Sequence, residues 1–192
     1  MVIAGLVLAA GEGTRFGGKK VLAELGGEPL VRHVVRRLME AGVAPIVVVA
    51  SGDLDAMRKA LVMTEARVVE NPSPRDGLSS SLRYGLDGLP EAIDAFFVAL
   101  GDQPRIDPAL IRQLASVWTT SNAAAVVPAY RQERGNPVLF DATMRRRLRE
   151  LTGDNGARDL LVSMGDRVVQ VPVEQDAPQD VDTRDDLRAL DA

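Results

Sequence analysis

The stretch VIAGLVLAAGEGTRFGGKK, residues 2–20, joins a strand to a phosphate loop. Val2–Ala9 is a continuous apolar run without polar alternation, the pattern of a strand buried on both faces. It leads into Gly11, Gly13, Gly17 and Gly18. Glycines at that density let backbone amides turn toward an anion, and Arg15, Lys19 and Lys20 bring positive charge to the same turn. A buried strand ending in a cationic glycine loop predicts an anion site at one edge of a sheet.

Outward from that segment, short β-branched runs alternate with amphipathic ones. Pro29–Ala41 is expected to be a helix. Leu30, Val34, Val35, Leu38 and Met39 share one face, the arginines lie on the other, and Gly42 is placed to end it. Pro45–Ala50 reads as a buried strand, and Asp53 as the cap of a helix reaching about Val62. Strands are expected at Arg67–Glu70, Ala95–Leu100, Ala123–Pro128, Pro137–Phe140 and Arg167–Val171. Helices are expected from Ser79 through Leu86 and over Pro108–Thr120, Ala142–Leu151 and Asn155–Met164, and a capping box of Thr183 with Asp186 opens a last helix to Leu190. Such alternation predicts one α/β domain over residues 1–192, with a mostly parallel mixed sheet flanked by helices on both faces. Ligands of such sheets bind beyond the carboxyl ends of the strands, so the loops after Ala9, Ala50, Glu70 and Leu100 mark the working face.

Composition narrows the chemistry. The 192 residues are 46% hydrophobic and 26% charged, ordinary for a globular chain. A net charge of −4, from 23 Lys and Arg against 27 Asp and Glu, argues against a nucleic-acid partner. No apolar run approaches the roughly 18 residues of a membrane span, and the N-terminal strand lacks a basic leader, so a cytoplasmic protein is expected. There is no cysteine, which removes disulfides, thiolate metal sites and thiol catalysis, and His33 is the single histidine. Catalysis has to run on carboxylates, cations, hydroxyls and backbone amides.

The loop discriminates among phosphate sites. A dinucleotide fingerprint needs glycine where Phe16 stands and an acidic residue about 20 residues on. A P-loop matches from Gly13 to Lys19 but puts Lys20 where the metal-holding hydroxyl belongs. The pattern L-A-A-G-x-[GS]-x-R-x-G-x-x-K is filled at every fixed position: Leu8, Ala9, Ala10, Gly11, Gly13, Arg15, Gly17 and Lys20.

With this loop the chain resembles the nucleotidyltransferase superfamily and, within it, the molybdenum cofactor cytidylyltransferases. The resemblance runs through Val21–Leu30; Asn71 with Gly77-Leu78-Ser79-Ser80-Ser81-Leu82 and Gly85; Gly101-Asp102-Gln103-Pro104; Gly135-Asn136-Pro137; Gly153-Asp154-Asn155-Gly156-Ala157-Arg158; and Asp180-Val181-Asp182-Thr183 with Asp186. Leu78 replaces the usual Met, and Thr14 is closer to sugar-phosphate nucleotidyltransferases, whereas Ala10 favours the cytidylyl over the guanylyl type. The resemblance implies a Rossmann-like nucleotidyltransferase fold. It implies Mg²⁺-dependent transfer of CMP from CTP to the phosphate of molybdopterin, with release of pyrophosphate and handover of the product to a molybdenum enzyme.

The implied roles follow the same blocks. Leu8, Ala9, Ala10, Gly11 and Gly13 line the nucleotide with Gly77, Ser79 and Ser80, the two serines lying near the base or else capping a helix. Arg15 holds the leaving phosphates and Lys20 offsets charge on the α-phosphate. Asp102 is the first metal ligand and Asp182 the second, with Asp180 its rival, while Asp186 is spent on capping. Asn136 and Arg158 face the acceptor. Lys19 reads as a solvated neighbour, Arg145–Arg149 as an exposed helix face, and His33 as having no role. The alternatives are a guanylyl-transferring counterpart, a sugar- or polyol-phosphate nucleotidyltransferase, and a nucleotide-binding regulator without turnover. A pure binder needs no metal carboxylate, which sets Asp102 against the last.

Overall fold

A computed structural model describes residues 1–131, 133–154 and 157–191. Its elements in chain order are β1 (Ile3–Leu8), β2 (Glu24–Leu25), β3 (Glu28–Pro29), α1 (Leu30–Glu40), β4 (Ile46–Ala50), α2 (Leu54–Ala60), β5 (Arg67–Glu70) and α3 (Leu78–Gly88). They continue with β6 (Ala95–Leu100), α4 (Pro108–Thr120), β7 (Ala125–Tyr130), β8 (Glu133–Arg134), β9 (Val138–Asp141), α5 (Arg145–Arg149), α6 (Arg158–Ser163), β10 (Val168–Val173) and α7 (Arg184–Asp191).

Eight strands form one mixed sheet in the order β10-β7-β9-β6-β1-β4-β5, with β8 on β7. β1 pairs in parallel with both β4 and β6, β4 with β5, and β7 with β10, whereas β9 runs antiparallel between β6 and β7. Leu8 is in register with Val49 on one side and Leu100 on the other, so three strands finish level and release their loops at one edge. Strand alternation sends Val7, Val48 and Phe97 to a core under α1, α2 and α4, and Leu6, Val47, Val49 and Phe96 to a second core under α3, α5 and α6. Both faces are therefore apolar, which is why these strands read as unbroken hydrophobic runs. Helix α3 lies close on the sheet: a Cβ at Gly85 would collide with Leu6 and stand 2.8 Å from Val49.

β5, β6 and α4 fall where expected, and several boundaries move. The lead into α1 is a separate hairpin of β2 and β3 turning on Gly26 and Gly27, both at positive φ, and it takes Pro29 from the helix. His33 is not idle: its Nε2–H donates to the Leu25 carbonyl at 2.8 Å and pins that hairpin. β7 runs on to Tyr130 because Ala129 and Tyr130 pair with β8 as well as β10. The helix expected over Ala142–Leu151 is broken at its start, where Asp141 accepts from the Thr143 amide and caps a 3-10 turn over Ala142–Met144 ahead of α5. The helix expected from Asn155 begins at Arg158; Asn155 and Gly156, which also belong to a quoted motif, lie outside the described residues. Among the described residues, no helix is long and apolar enough to cross a membrane.

Candidate active site

Gly13, at φ 59°, caps a 3-10 turn over Thr14–Phe16, and its carbonyl accepts from the amides of Phe16 and Gly18, each at 3.0 Å. A Cβ there would stand 3.0 Å from the Lys20 Cβ in a conformation that disfavours L side chains, so glycine lets the loop fold back on Lys20. Phe16 anchors the turn. It is buried with Leu25, Leu30, Val181 and Leu190, and the Arg184 guanidinium lies 5.3 Å from its ring centroid. The Val181 amide donates to the Asp102 carbonyl at 3.1 Å. These contacts bring the glycine loop, the loop after β6 and the tail at residues 180–182 to one point.

At that point the ammonium of Lys20 sits 2.5 Å from Asp102 Oδ2 and 3.0 Å from Asp182 Oδ1, and Arg15 takes Asp182 Oδ2 at 3.0 Å. Four of the residues singled out from sequence thus form one alternating network. The Lys20 side chain is 13% exposed. Burial works against its charge, but hydrogen bonds and attraction from Asp102 and Asp182 outweigh that and hold its pKa above the ordinary lysine value. Asp102 Oδ1 is buried with no partner among the described residues. Asp180 is drawn aside: it accepts from Gln103 Nε2 at 2.7 Å, and desolvation together with the Asp102 and Asp182 charges raises its pKa despite that bond. Asp186 accepts from the amides of Thr183 at 2.7 Å and Asp182 at 3.0 Å, so the expected capping also fixes the Asp182 backbone. Lys19 is exposed and pairs with Asp53 at 3.0 Å.

The donor set fits a hard divalent cation. Asp102 and Asp182 converge on one cationic point, and the unspent buried oxygen of Asp102 is an acceptor awaiting a partner. Among the described residues no three His, Cys, Asp or Glu side chains cluster into a closed metal cage. A pair of carboxylates supplemented by substrate phosphates and water is the usual protein share of a Mg²⁺ site.

Two clefts of about 600 and 570 Å³ meet the end of β1. The first is lined by Ala9, Gly11, Lys19, Ser51, Asp53 and Asn71 among others. The second is lined by Leu8, Leu82, Val98, Leu100, Asn136 and Arg158 among others. Leu8 faces one cleft and Ala9 the other, so the end of β1 divides them. Asn136, between β8 and β9, and Arg158, at the start of α6, both line the second cleft. Gly77 stands at φ 88°, and a Cβ on it would come within 2.5 Å of Asp154 Oδ1 and 2.7 Å of the Gly153 backbone. Two motifs therefore dock on each other through a glycine. Ser79 and Ser80 are both 1% exposed. The Ser80 hydroxyl lies 2.9 Å from the Ser73 and Gly77 carbonyls and accepts from Asn71 Nδ2, while no side chain caps α3. Sequence reasoning missed the Phe16 anchor, the Gln103–Asp180 bond and Arg134, which also lines the second cleft. The glutamine was legible beside Asp102; the others depend on contacts between distant segments.

Residues 5–168 match the family described as the MobA-like NTP transferase domain. The chain belongs to that family. A crystal structure of Rv0371c from Mycobacterium tuberculosis H37Rv is similar, with a TM-score of 0.85 at 30% identity over 99% of this chain and 97% of that one. The same mycobacterial protein has a structure complexed with manganese, similar at a TM-score of 0.82 and 29% identity over 99% and 97% of the two chains. A probable molybdenum cofactor guanylyltransferase of Pyrococcus horikoshii is 28% identical over 90% of this chain and 84% of its own length. The chain spans 62% of the length of a probable molybdenum cofactor guanylyltransferase of Thermococcus sibiricus and 29% of that of the bifunctional protein GlmU of Trichlorobacter lovleyi.

Proposed function

We propose that residues 1–192 act as one catalytic domain that transfers CMP from CTP to the phosphate of molybdopterin, releasing pyrophosphate and leaving a product for handover to a molybdenum enzyme in the cytoplasm. The observation that carries this reading is the Lys20 ammonium held between Asp102 and Asp182 beside the glycine loop. An acceptor phosphomonoester, with a second pKa near ~6, is largely ionised at neutral pH. Its oxygen attacks the α-phosphorus directly, that bond forms as the bond to the bridging oxygen of pyrophosphate breaks, and no general base is needed. This accords with a site free of cysteine and histidine catalysts.

The chain's own groups supply positioning and charge, the main sources of rate in phosphoryl-type transfer. Leu8, Ala9 and Ala10 bring the strand end to the nucleotide, and the amides of Gly11 and Gly13 face its phosphates. Arg15 takes the departing β- and γ-phosphates through its planar fork. Lys20 offsets charge developing on the α-phosphate. Gly77, Ser79 and Ser80 shape the base side through the α3 turn, with Ser80 acting through its bond from Asn71. Asp102 and Asp182 would hold Mg²⁺, which when bound neutralises phosphate charge.

For the base, Ala9-Ala10-Gly11 supports cytosine, whereas the guanylyltransferase name of the Pyrococcus relative favours a second reading with GTP. Pyrophosphate release from CTP, GTP and UTP, each with molybdopterin or a sugar phosphate and with or without Mg²⁺, tests both. CTP with molybdopterin and Mg²⁺ is the pair expected to turn over fastest; turnover confined to sugar phosphates would overturn the acceptor assignment.

A further inference from the structure

The second cleft carries a cation, Arg134, that the family motifs do not assign. Arg134, on β8, and Arg158, at the start of α6, line the same cleft, and neither guanidinium has a hydrogen-bond or ion-pair partner among the described residues. Arg131, three residues before Arg134, is by contrast paired with Asp176 at 2.9 Å. The turn that presents Arg134 is built on Tyr130, whose hydroxyl donates to the Asn136 carbonyl at 3.1 Å. A Cβ on Gly135 would stand 2.6 Å from that ring, so only glycine lets the turn lie flat on it. Leu8, Leu82, Val98, Val138, Phe140 and Leu161 give the same cleft a largely apolar floor, and Glu133 and Asn136 add polar groups to its lining. The cleft reaches Leu8 and Leu100, at the strand ends beside Asp102.

We infer that Arg134 and Arg158 together clamp the phosphate of the acceptor, and that the floor selects an acceptor whose body is a ring system over one that is a polyol. The inference rests on the proposed nucleotidyl transfer and adds Arg134 as an acceptor-binding residue. Two forked guanidiniums match a phosphate dianion geometrically, and hydrogen bonds between charged partners are the strong ones. A polyol carries more hydroxyls than Glu133 and Asn136 can bond, and the remainder would lose water against leucine, valine and phenylalanine, which penalises it.

The test is steady-state pyrophosphate release with CTP and molybdopterin for the unaltered protein, Arg134→Gln, Arg134→Lys and Arg158→Gln. Arg134→Gln is expected to raise the acceptor KM by about 10–100-fold, the worth of a charged hydrogen-bonded pair. The KM for CTP should stay within about twofold, and Arg134→Lys should recover part of the loss because it restores charge without the fork. Arg134 is exposed, so the melting temperature should not move and a folding defect cannot mimic the result. An unchanged acceptor KM in Arg134→Gln overturns the clamp, and equal use of glucose 1-phosphate and molybdopterin by the unaltered protein overturns the floor's selection. If the unaltered protein turned over no nucleotide, the nucleotidyl-transfer reading would fail by itself. Calorimetric binding of molybdopterin, weaker by the same factor in Arg134→Gln, would then decide the clamp: loss of binding supports it and equal binding refutes it.

Discussion

Replacing Lys20 with methionine removes the cation shared by Asp102 and Asp182 while nearly keeping its length. Breaking a fully buried ion pair by deleting one partner costs roughly 3–5 kcal/mol. Here the side chains of Lys20 and Asp102 are 13% and 18% exposed, Asp182 is 31% exposed, and Arg15 still holds Asp182 at 3.0 Å. Those residual contacts reduce the loss to about 2 kcal/mol, which in a domain of this size lowers the melting temperature by roughly 4–8 °C. With the ammonium gone the two carboxylates become better cation ligands, so millimolar Mg²⁺ or Mn²⁺ should raise the variant's melting temperature more than that of the unaltered protein, following mass action. Turnover should nevertheless fall by at least ~10²-fold, the scale of losing one preorganised charge donor. Differential scanning calorimetry across a metal titration, beside a pyrophosphate-release assay, reads all three effects. If the variant melted with the unaltered protein and metal shifted both equally, the role given to Lys20 as resident counterion of the carboxylate pair would be wrong.

Further outcomes follow from the same geometry. Asp102→Asn should cut turnover by about 10³-fold or more while CTP binding, followed by calorimetry without metal, stays within a few-fold, since charge stabilisation dominates this chemistry. Gly77→Ala forces a Cβ against the Asp154 carboxylate and the Gly153 backbone at a φ of 88°, so chemical denaturation should show a loss of roughly 1–3 kcal/mol with an unchanged m-value. Burial, followed by the negative charge of Asp107, pushes the Tyr130 hydroxyl up to about 12 from its ordinary 10. The folded state therefore keeps the phenol proton after the unfolded chain has lost it. The stabilisation is present below pH 10 and is lost as pH rises toward 12, by at most about 3 kcal/mol. Urea titrations across that range should show the decline in the unaltered protein and a smaller one in Tyr130→Phe.

The sheet was legible because its central strands are buried on both faces: Ala4–Ala9, Ile46–Ala50 and Ala95–Leu100 carry no polar interruption, and glycine, proline or aspartate marks their ends. The hairpin of β2 and β3 was not, since its two-residue strands are too short to show a period and its register depends on Gly26, Gly27 and a bond from His33. The expected helix after Asp141 broke for a local reason: the aspartate both ends β9 and caps the first turn, and the chain needs Ala142–Met144 to turn before α5. At the candidate site the residue types were visible in the motifs, and Arg15, Lys20, Asp102 and Asp182 do converge. What brings them together was hidden, because Phe16 against Val181 and the Val181 amide on the Asp102 carbonyl join segments far apart in sequence. The fate of Ser80 was hidden for the same reason: its hydroxyl is committed to Asn71 and two carbonyls, an allocation that only the folded turn defines.

The account turns on where a nucleoside triphosphate lies, and a crystal structure with CTP, Mg²⁺ and no acceptor measures that directly. The expected result is a triphosphate along the amides from Gly11 to Lys20, its base in the cleft beside Asn71, Lys20 moved onto the α-phosphate, and a cation on Asp102 and Asp182. A triphosphate bound in the cleft of Arg134 and Arg158, or a cation on the far side of the molecule from Asp102, would contradict it.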